Sequence, residues 1–441
     1  MSRWYDNPEW FQARVVWPSD RTSGLDRRFD RTDEDGPAQP AWRFSVVARD
    51  PRPSQMPGDD EEIRYGLTSE AGKLNLNVAS ADQLRTLFAA VIAADEDRSI
   101  DELVEALIDW RDPDDNAGEN GAEAEYYESL SVPRRAKNGP LDTVEELLLV
   151  KGFTGAIVFG EDYNRNGRLD PNEDDGEESF PPDNGDGTLQ RGLWPYVTVW
   201  SAQINRAVDR KPRINLLDRD AKRLERDLSE YFDDRAIRYI LQNRQKTVRR
   251  LGGGRRGGRR GGGQRNRTVP AITSPADLVG GNSPIGVDDL PLLMDRTTTA
   301  PVPVLMGLID INTAPAEVLA TLPDLSAEQI EAIVTTRSRL TDEARQTVAW
   351  PVTQQTLSLE TFKKLVGGQP GGFITVGSSR YSVEVIGYAD HVGRFCRLQA
   401  VIEMRGRLGQ IVYWRDLSEL GIGYAVRADS EESIRTRRSR S

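Results

Sequence analysis

The segment DYNRNGRLDPNE, residues 162–173, sets oxygen-bearing side chains at alternating positions around a glycine. Asp162, Asn164 and Asn166 stand at positions 1, 3 and 5 of a twelve-residue frame, with Gly167 at 6, Arg168 at 7, Asp170 at 9 and Glu173 at 12. This is the EF-hand spacing. Side-chain oxygens come from positions 1, 3, 5 and 9, a backbone carbonyl from Arg168, and a carboxylate able to bind through both oxygens from Glu173. Hard oxygen donors in that order suit Ca2+ far better than Zn2+. Leu169 at position 8 is expected to anchor the loop to the core. The flanks FTGAIVFG and DDGEESFPPD are too short or too polar for a pair of EF-hand helices. The expectation is therefore a single structural calcium loop rather than a sensor that opens on binding.

Two further acidic stretches offer a second candidate metal set. WRDPDDNAGENGAEAEYY (110–127) carries Asp112, Asp114, Asp115 and Glu123, and DNGDG (183–187) carries Asp183 and Asp186. The competing reading is ordinary turn chemistry, which favours Asp and Asn for their side-chain bonds to nearby backbone. Catalytic chemistry finds little support. The only histidine, His391, lies five residues before the only cysteine, Cys396, with no Gly-rich elbow or acidic partner beside either. The expectation there is a surface histidine and a small buried thiol, and the chain is read as no enzyme. A single cysteine also excludes an internal disulfide. GGGRRG (252–257) satisfies a dinucleotide fingerprint only because poly-Gly satisfies any such pattern, and no phosphate loop ending in Gly-Lys-Ser/Thr is present.

The elements that must position these residues change character along the chain. Its 441 residues allow two or three domains, and 39 Gly with 25 Pro point to long loops between folded parts. Residues 1–72 hold Pro-rich loops and two alternating strand patterns, WRFSVVA (42–48) and EIRYGLT (62–68). Residues 73–205 read as a helical domain containing the calcium loop, 206–243 as a second cap-helix unit, and 244–300 as an Arg/Gly-rich linker with loops. Residues 301–370 form a third such unit. FITVGS, RYSVEVIGYAD, RFCRLQAVIEMRG and GQIVYWRDL, within 371–425, read as successive antiparallel strands joined by short Gly turns. A basic tail, 426–441, follows. The fold class is α+β: early strands joining a late antiparallel sheet, with the helical part as a large insertion.

The helical part repeats one grammar. KLNLNVASADQLRTLF (73–88), RINLLDRDAKRLERDL (213–228) and IDINTAPAEVLATL (309–322) each open on an apolar stub, pass an Asn, and enter an amphipathic helix. Polar caps accept first-turn N–H groups, and Pro315 suits the first helical position. SAEQIEAIVTTR gives the third copy a second helix, and LDTVEELLLVKGFTG (141–155) reads as a further unit. The units are similar to helix-hairpin-helix modules, whose nucleic-acid-binding forms use a Gly-x-Gly hairpin to approach a phosphate. The third copy has PDLS at that point, and residues 152–155 read GFTG.

From residue 71 the motifs AGKLNLNVAS, ALIDWRDPDD, GAEAEYY, AKNGPLDTVEELLLVKG and LWPYVTVWS follow in order, and INTAPAEVL and VYWRDL extend the series. In that order and spacing the chain resembles the K-type minor pseudopilins of type II secretion systems. The resemblance implies a pilin-like antiparallel sheet with a large inserted helical domain that binds calcium. It also implies a place at the tip of a periplasmic pseudopilus on the inner membrane, beside two smaller minor pseudopilins and other secretion components, with no catalysis and no small-molecule substrate. Three departures stand out. The chain opens on MSRWYDNPEWFQ without a prepilin leader or apolar helix, so membrane contact is expected only through such a missing helix. It carries an Arg/Gly segment and a third cap-helix unit beyond the family pattern. Its metal loop is also closer to an EF-hand than the family requires.

The alternative reading is a helix-hairpin-helix nucleic-acid binder with a basic arm. Residues 244–267 hold ten basic and no acidic side chains, but no aromatic for base stacking. A flexible linker explains them as well, and the net charge of −12 argues against general affinity for nucleic acid.

Overall fold

The computed structural model describes residues 14–16, 42–48, 65–92, 99–249, 266–389, 393–406 and 408–423. His391, most of the Arg/Gly segment and the basic tail lie outside the described residues. The chain divides into two compact units, one of Met1–Glu70, Leu147–Pro195 and Arg380–Ser441, the other of Ala71–Glu146 and Tyr196–Ser379.

The first unit is built on an antiparallel sheet. Its strands run in the order Arg14–Val16, Trp42–Val47, Arg380–Ala389, Phe395–Arg405, Leu408–Asp416, and Thr68–Ser69 also pairs with Arg380–Ala389. The early strand does join the late ones, with Glu384 opposite Val47 and Gly387 opposite Phe44. Alternation decides which side is buried: Val47, Ile386 and Tyr388 form a core cluster with Tyr65 and Ile422 against it. The last strand is an edge, and Leu408, Ile411 and Trp414 on it stay 77%, 60% and 64% exposed. Cys396 is exposed as well, not the buried thiol that its small size suggests, because it falls on an outward position of its strand.

The second unit carries the three repeats, and each becomes the same device. The stubs Leu74–Asn75, Ile214–Asn215 and Ile309–Asp310 pair in parallel with Val197–Thr198, Thr297–Thr298 and Ile374–Thr375 respectively. In each copy the Asx residue of the stub turns the chain, accepting through Oδ1 from the backbone N–H of Asn77, Leu217 or Asn312 at 3.0 Å. Two helices follow in each: Ala81–Val91 and Ile100–Arg111, Ala221–Leu228 and Asp234–Asn243, Ala316–Leu319 and Ala327–Arg337. An arginine at the end of the second helix then reaches back to the turn. Arg111 donates to the carbonyls of Leu76 and Ala79, Arg244 to Leu216 and Asp218, Arg337 to Ile311 and Ala314. These carbonyls would otherwise be buried without partners, which is why a fork of guanidinium donors recurs there.

Four expectations change. FITVGS is not part of the sheet: its strand, Ile374–Thr375, pairs in parallel with the third stub and closes that repeat. Both flanks of the Arg/Gly segment are strands, Gln245–Arg249 pairing antiparallel with Asn266–Pro270. Pro315 sits at the N-cap with extended ψ rather than inside the helix, which starts at Ala316. The segment Leu147–Pro195, which holds the 162–173 loop, groups with the sheet and not with the helical repeats.

Candidate functional site

The loop 162–173 closes on itself through its own side chains. Asp162 Oδ2 accepts from Gly167 N at 2.9 Å, Asn164 Oδ1 from Asn166 N at 2.9 Å, and Asn166 Oδ1 from Arg168 N at 2.6 Å. Gly167 takes φ +74°, the left-handed turn that position 6 requires. The two ends are tied by Glu173, whose Oε1 accepts from Tyr163 N at 3.0 Å and Oε2 from Asp170 N at 3.1 Å. Glu173 is 1% exposed, and burial, reinforced by the charges of Asp162 and Asp170, pushes its carboxyl up to about 7. Asp170 Oδ2 receives the amide groups of Asn164 at 2.5 Å and Asn166 at 2.9 Å.

The helix before the loop is only Gly155–Phe159, and a single turn, Pro171–Glu173, ends it, so no EF-hand helix pair frames the site. Leu169 does not anchor it either, since it is 37% exposed. The anchors are two arginines. Arg165, at φ +57°, lays its guanidinium over Phe159 at 4.0 Å and near Trp194 at 5.1 Å. Arg397, wholly buried in the strand Phe395–Arg405, pairs through Nε with Glu384 and donates to the carbonyls of Asn164 at 2.7 Å and Arg165 at 3.0 Å. Arg191 lies 3.8 Å from Asp162. None of these partners is signalled by loop spacing, and Arg397 and Glu384 are more than 200 residues away in sequence.

A second acidic centre lies in the other unit. Asp112 and Asp114 follow the helix Ile100–Arg111 as turn formers, and Asp115 accepts from Asn138 Nδ2 at 2.7 Å. Asp109, which the sequence reading missed, is buried in the last turn and accepts from Gly118 N at 3.0 Å and Ala122 N at 2.8 Å. Burial, first of all, raises its carboxyl above the usual range. Glu123 is 5% exposed, and neither of its carboxylate oxygens has a hydrogen-bond partner among the described residues. Burial, with Asp109, Asp112, Asp115 and Asp114 around it, pushes Glu123 up to about 7. Asp183 and Asp186 belong to the first unit. Asp183 accepts from Asp175, Gly176 and Gly185 N–H groups, and Asp186 from Thr188 N, an Asx-turn network.

Oxygen donors, a left-handed glycine and a buried carboxylate with spare lone pairs fit a hard cation at 162–173. Glu123, buried with no hydrogen-bond partner on either oxygen among the described residues, is the corresponding group at the second centre. Among the described residues no three His, Cys, Asp or Glu side chains are already gathered at metal-holding distance, at either centre. The hairpins 229–233 and 320–326 contain no glycine, so neither brings a Gly-x-Gly backbone to a phosphate, while the turn before Gly155–Phe159 reads GFTG with Gly152 at φ +84°.

Residues 66–159, which span the first repeat and the second acidic centre, match the family described as type II secretion system (T2SS), protein K. This region, about a fifth of the chain, is similar to the protein K family. The putative type II secretion system protein K of Escherichia coli (strain K12) is 32% identical over 118 residues, covering 24% of this chain and 36% of that protein. The chain thus spans about a third of the length of the curated relative it matches. The crystal structure of the GspK-GspI-GspJ complex from the enterotoxigenic Escherichia coli type 2 secretion system aligns over 87% of this chain and 83% of that one. Identity there is 14% and the TM-score 0.33, a superposition too loose to argue from. The protein K region ends three residues before Asp162, so the 162–173 loop is read from its own geometry.

Proposed function

We propose that the chain is a non-enzymatic minor pseudopilin of the protein K type, a structural subunit at the tip of a type II secretion pseudopilus that supports protein export. The observation that carries the reading is the protein K match over residues 66–159, which covers the first strand–turn–helix repeat and the Asp109–Glu123 centre. The antiparallel sheet is then the pilin-like layer, and the repeats are helix-hairpin-helix-like packing units rather than nucleic-acid readers. The exposed apolar side chains Leu408, Ile411 and Trp414 on the edge strand give neighbouring minor pseudopilins a surface to cover. Location on the periplasmic side of the inner membrane follows from the same reading. Among the described residues no helix is long and apolar enough to cross a membrane.

Calcium belongs to this proposal. Asp162, Asn164, Asn166, Asp170, Glu173 and the Arg168 carbonyl would hold one ion. Glu123 with Asp109, Asp112, Asp114 and Asp115 would hold a second. Bound calcium would supply counter-charge to the buried carboxylates of Glu173 and Glu123, fixing each loop without chemistry of its own. The test is co-purification with the other minor pseudopilins encoded beside it, with and without chelator. A stable complex that Leu408→Asp/Trp414→Asp dissolves supports the subunit reading. A chain that stays alone with every pseudopilin offered overturns it.

A further inference from the structure

We propose that Arg397 is the positioning residue that couples the 162–173 loop to the sheet, so that cation binding and the strand pair beneath it stabilise one another. The inference rests on the calcium reading of that loop and concerns how the same site is held. Arg397 is 0% exposed, and its guanidinium is fully used: Nε on Glu384 of the adjacent strand, Nη1 on the carbonyls of Asn164 and, at 3.5 Å, Gly421, and Nη2 on that of Arg165. The two loop carbonyls it holds belong to positions 3 and 4. An EF-hand-type loop takes its ligands from the side chains at 1, 3, 5, 9 and 12 and the carbonyl at 7, so guanidinium and cation do not compete for the same oxygens.

Three features make this a built support. Arg165 is left-handed, a conformation unfavourable for a side-chain-bearing residue, and its carbonyl is one of the two that Arg397 fixes. Glu384 is 1% exposed and neutralises the guanidinium, so Arg397 orders the loop without setting a bare positive charge against an incoming cation. Gly423, at φ +71°, passes over the guanidinium so closely that a Cβ there would lie 2.7 Å from Arg397 Nη1 and 3.3 Å from Asn166 Cβ. A loop whose backbone is already fixed loses less conformational freedom when it binds. By linkage, the cation must stabilise whatever fixes it by the same factor.

The test uses the full chain, calcium calorimetry, melts in chelator and amide exchange. Arg397→Lys keeps a cation for Glu384 but lacks the planar fork that reaches two carbonyls at once. The double variant Arg397→Met/Glu384→Leu removes both buried charges together, so no lone ion is left in the core. In both variants calcium affinity at the loop is expected to weaken about tenfold or more. In the wild type, calcium slows exchange in Arg380–Ala389 and Phe395–Arg405, and the double variant loses that response. A variant that melts as the wild type in chelator yet binds calcium with unchanged affinity overturns the coupling and leaves the calcium reading standing. So does wild-type exchange in these strands that ignores calcium. A wild-type chain that takes up no calcium brings both down.

Discussion

Glu173→Gln separates a calcium ligand from a structural acceptor by reversing the order of two melts. Without metal, burial holds the Glu173 carboxyl at about 7 instead of 4.5. At about pH 8 its charged form is therefore disfavoured by roughly 3 kcal/mol relative to the unfolded chain. Gln removes that charge. Its single oxygen can serve only one of the two N–H groups that Glu173 receives, from Tyr163 and Asp170, and an orphaned N–H costs about 1–3 kcal/mol. The two effects leave the variant in chelator between equal to the wild type and about 2 kcal/mol more stable. In saturating calcium the wild type gains about 4 kcal/mol at a thousandfold excess over Kd, and the variant loses most of that gain. The assay is thermal or denaturant unfolding of both proteins in chelator and in millimolar calcium. Equal destabilisation of the variant in both buffers would falsify the argument, leaving Glu173 as a plain backbone acceptor.

In chelator, stability falls as pH rises between about 4.5 and 7. The native chain binds more protons than the unfolded one in that window, where Glu173 and Glu123 are raised, so the slope is negative, and calcium removes it. Glu123→Gln stabilises the protein in chelator above neutral pH and abolishes one of two calcium-binding events in calorimetry, while Glu173→Gln leaves that event in place. Arg337→Met strips the third repeat of the donors to Ile311 and Ala314 and lowers unfolding stability by about 1–3 kcal/mol, independently of calcium. Gel shifts at low salt show no DNA complex, and a retarded band lost on deleting 250–265 would restore the nucleic-acid reading.

The calcium-loop spacing, the three stub–Asn–helix repeats and the alternating strands Trp42–Val47, Arg380–Ala389, Phe395–Arg405 and Leu408–Asp416 were legible in the chain itself. Each depends on periodicity or on a turn bond spanning two or three residues, and such interactions are written in local order. Long-range partners are not. The arginines that return to the turns, Arg111, Arg244 and Arg337, match no motif, because only the angle between paired helices decides which carbonyls their forks meet. Two-residue stubs show no period, so nothing local told that Ile374–Thr375 would close the third repeat instead of opening the sheet. The second acidic centre was visible as Asp112, Asp114, Asp115 and Glu123. Its chemistry was not, because the raised carboxyl of Glu123 comes from burial and from Asp109 facing it. In the 162–173 loop, the oxygen-bearing side chains and the glycine were legible in the sequence. Tertiary structure alone decided that a buried arginine from a strand more than 200 residues later would hold the loop's carbonyls, since a buried guanidinium must find its acceptors wherever the fold brings them.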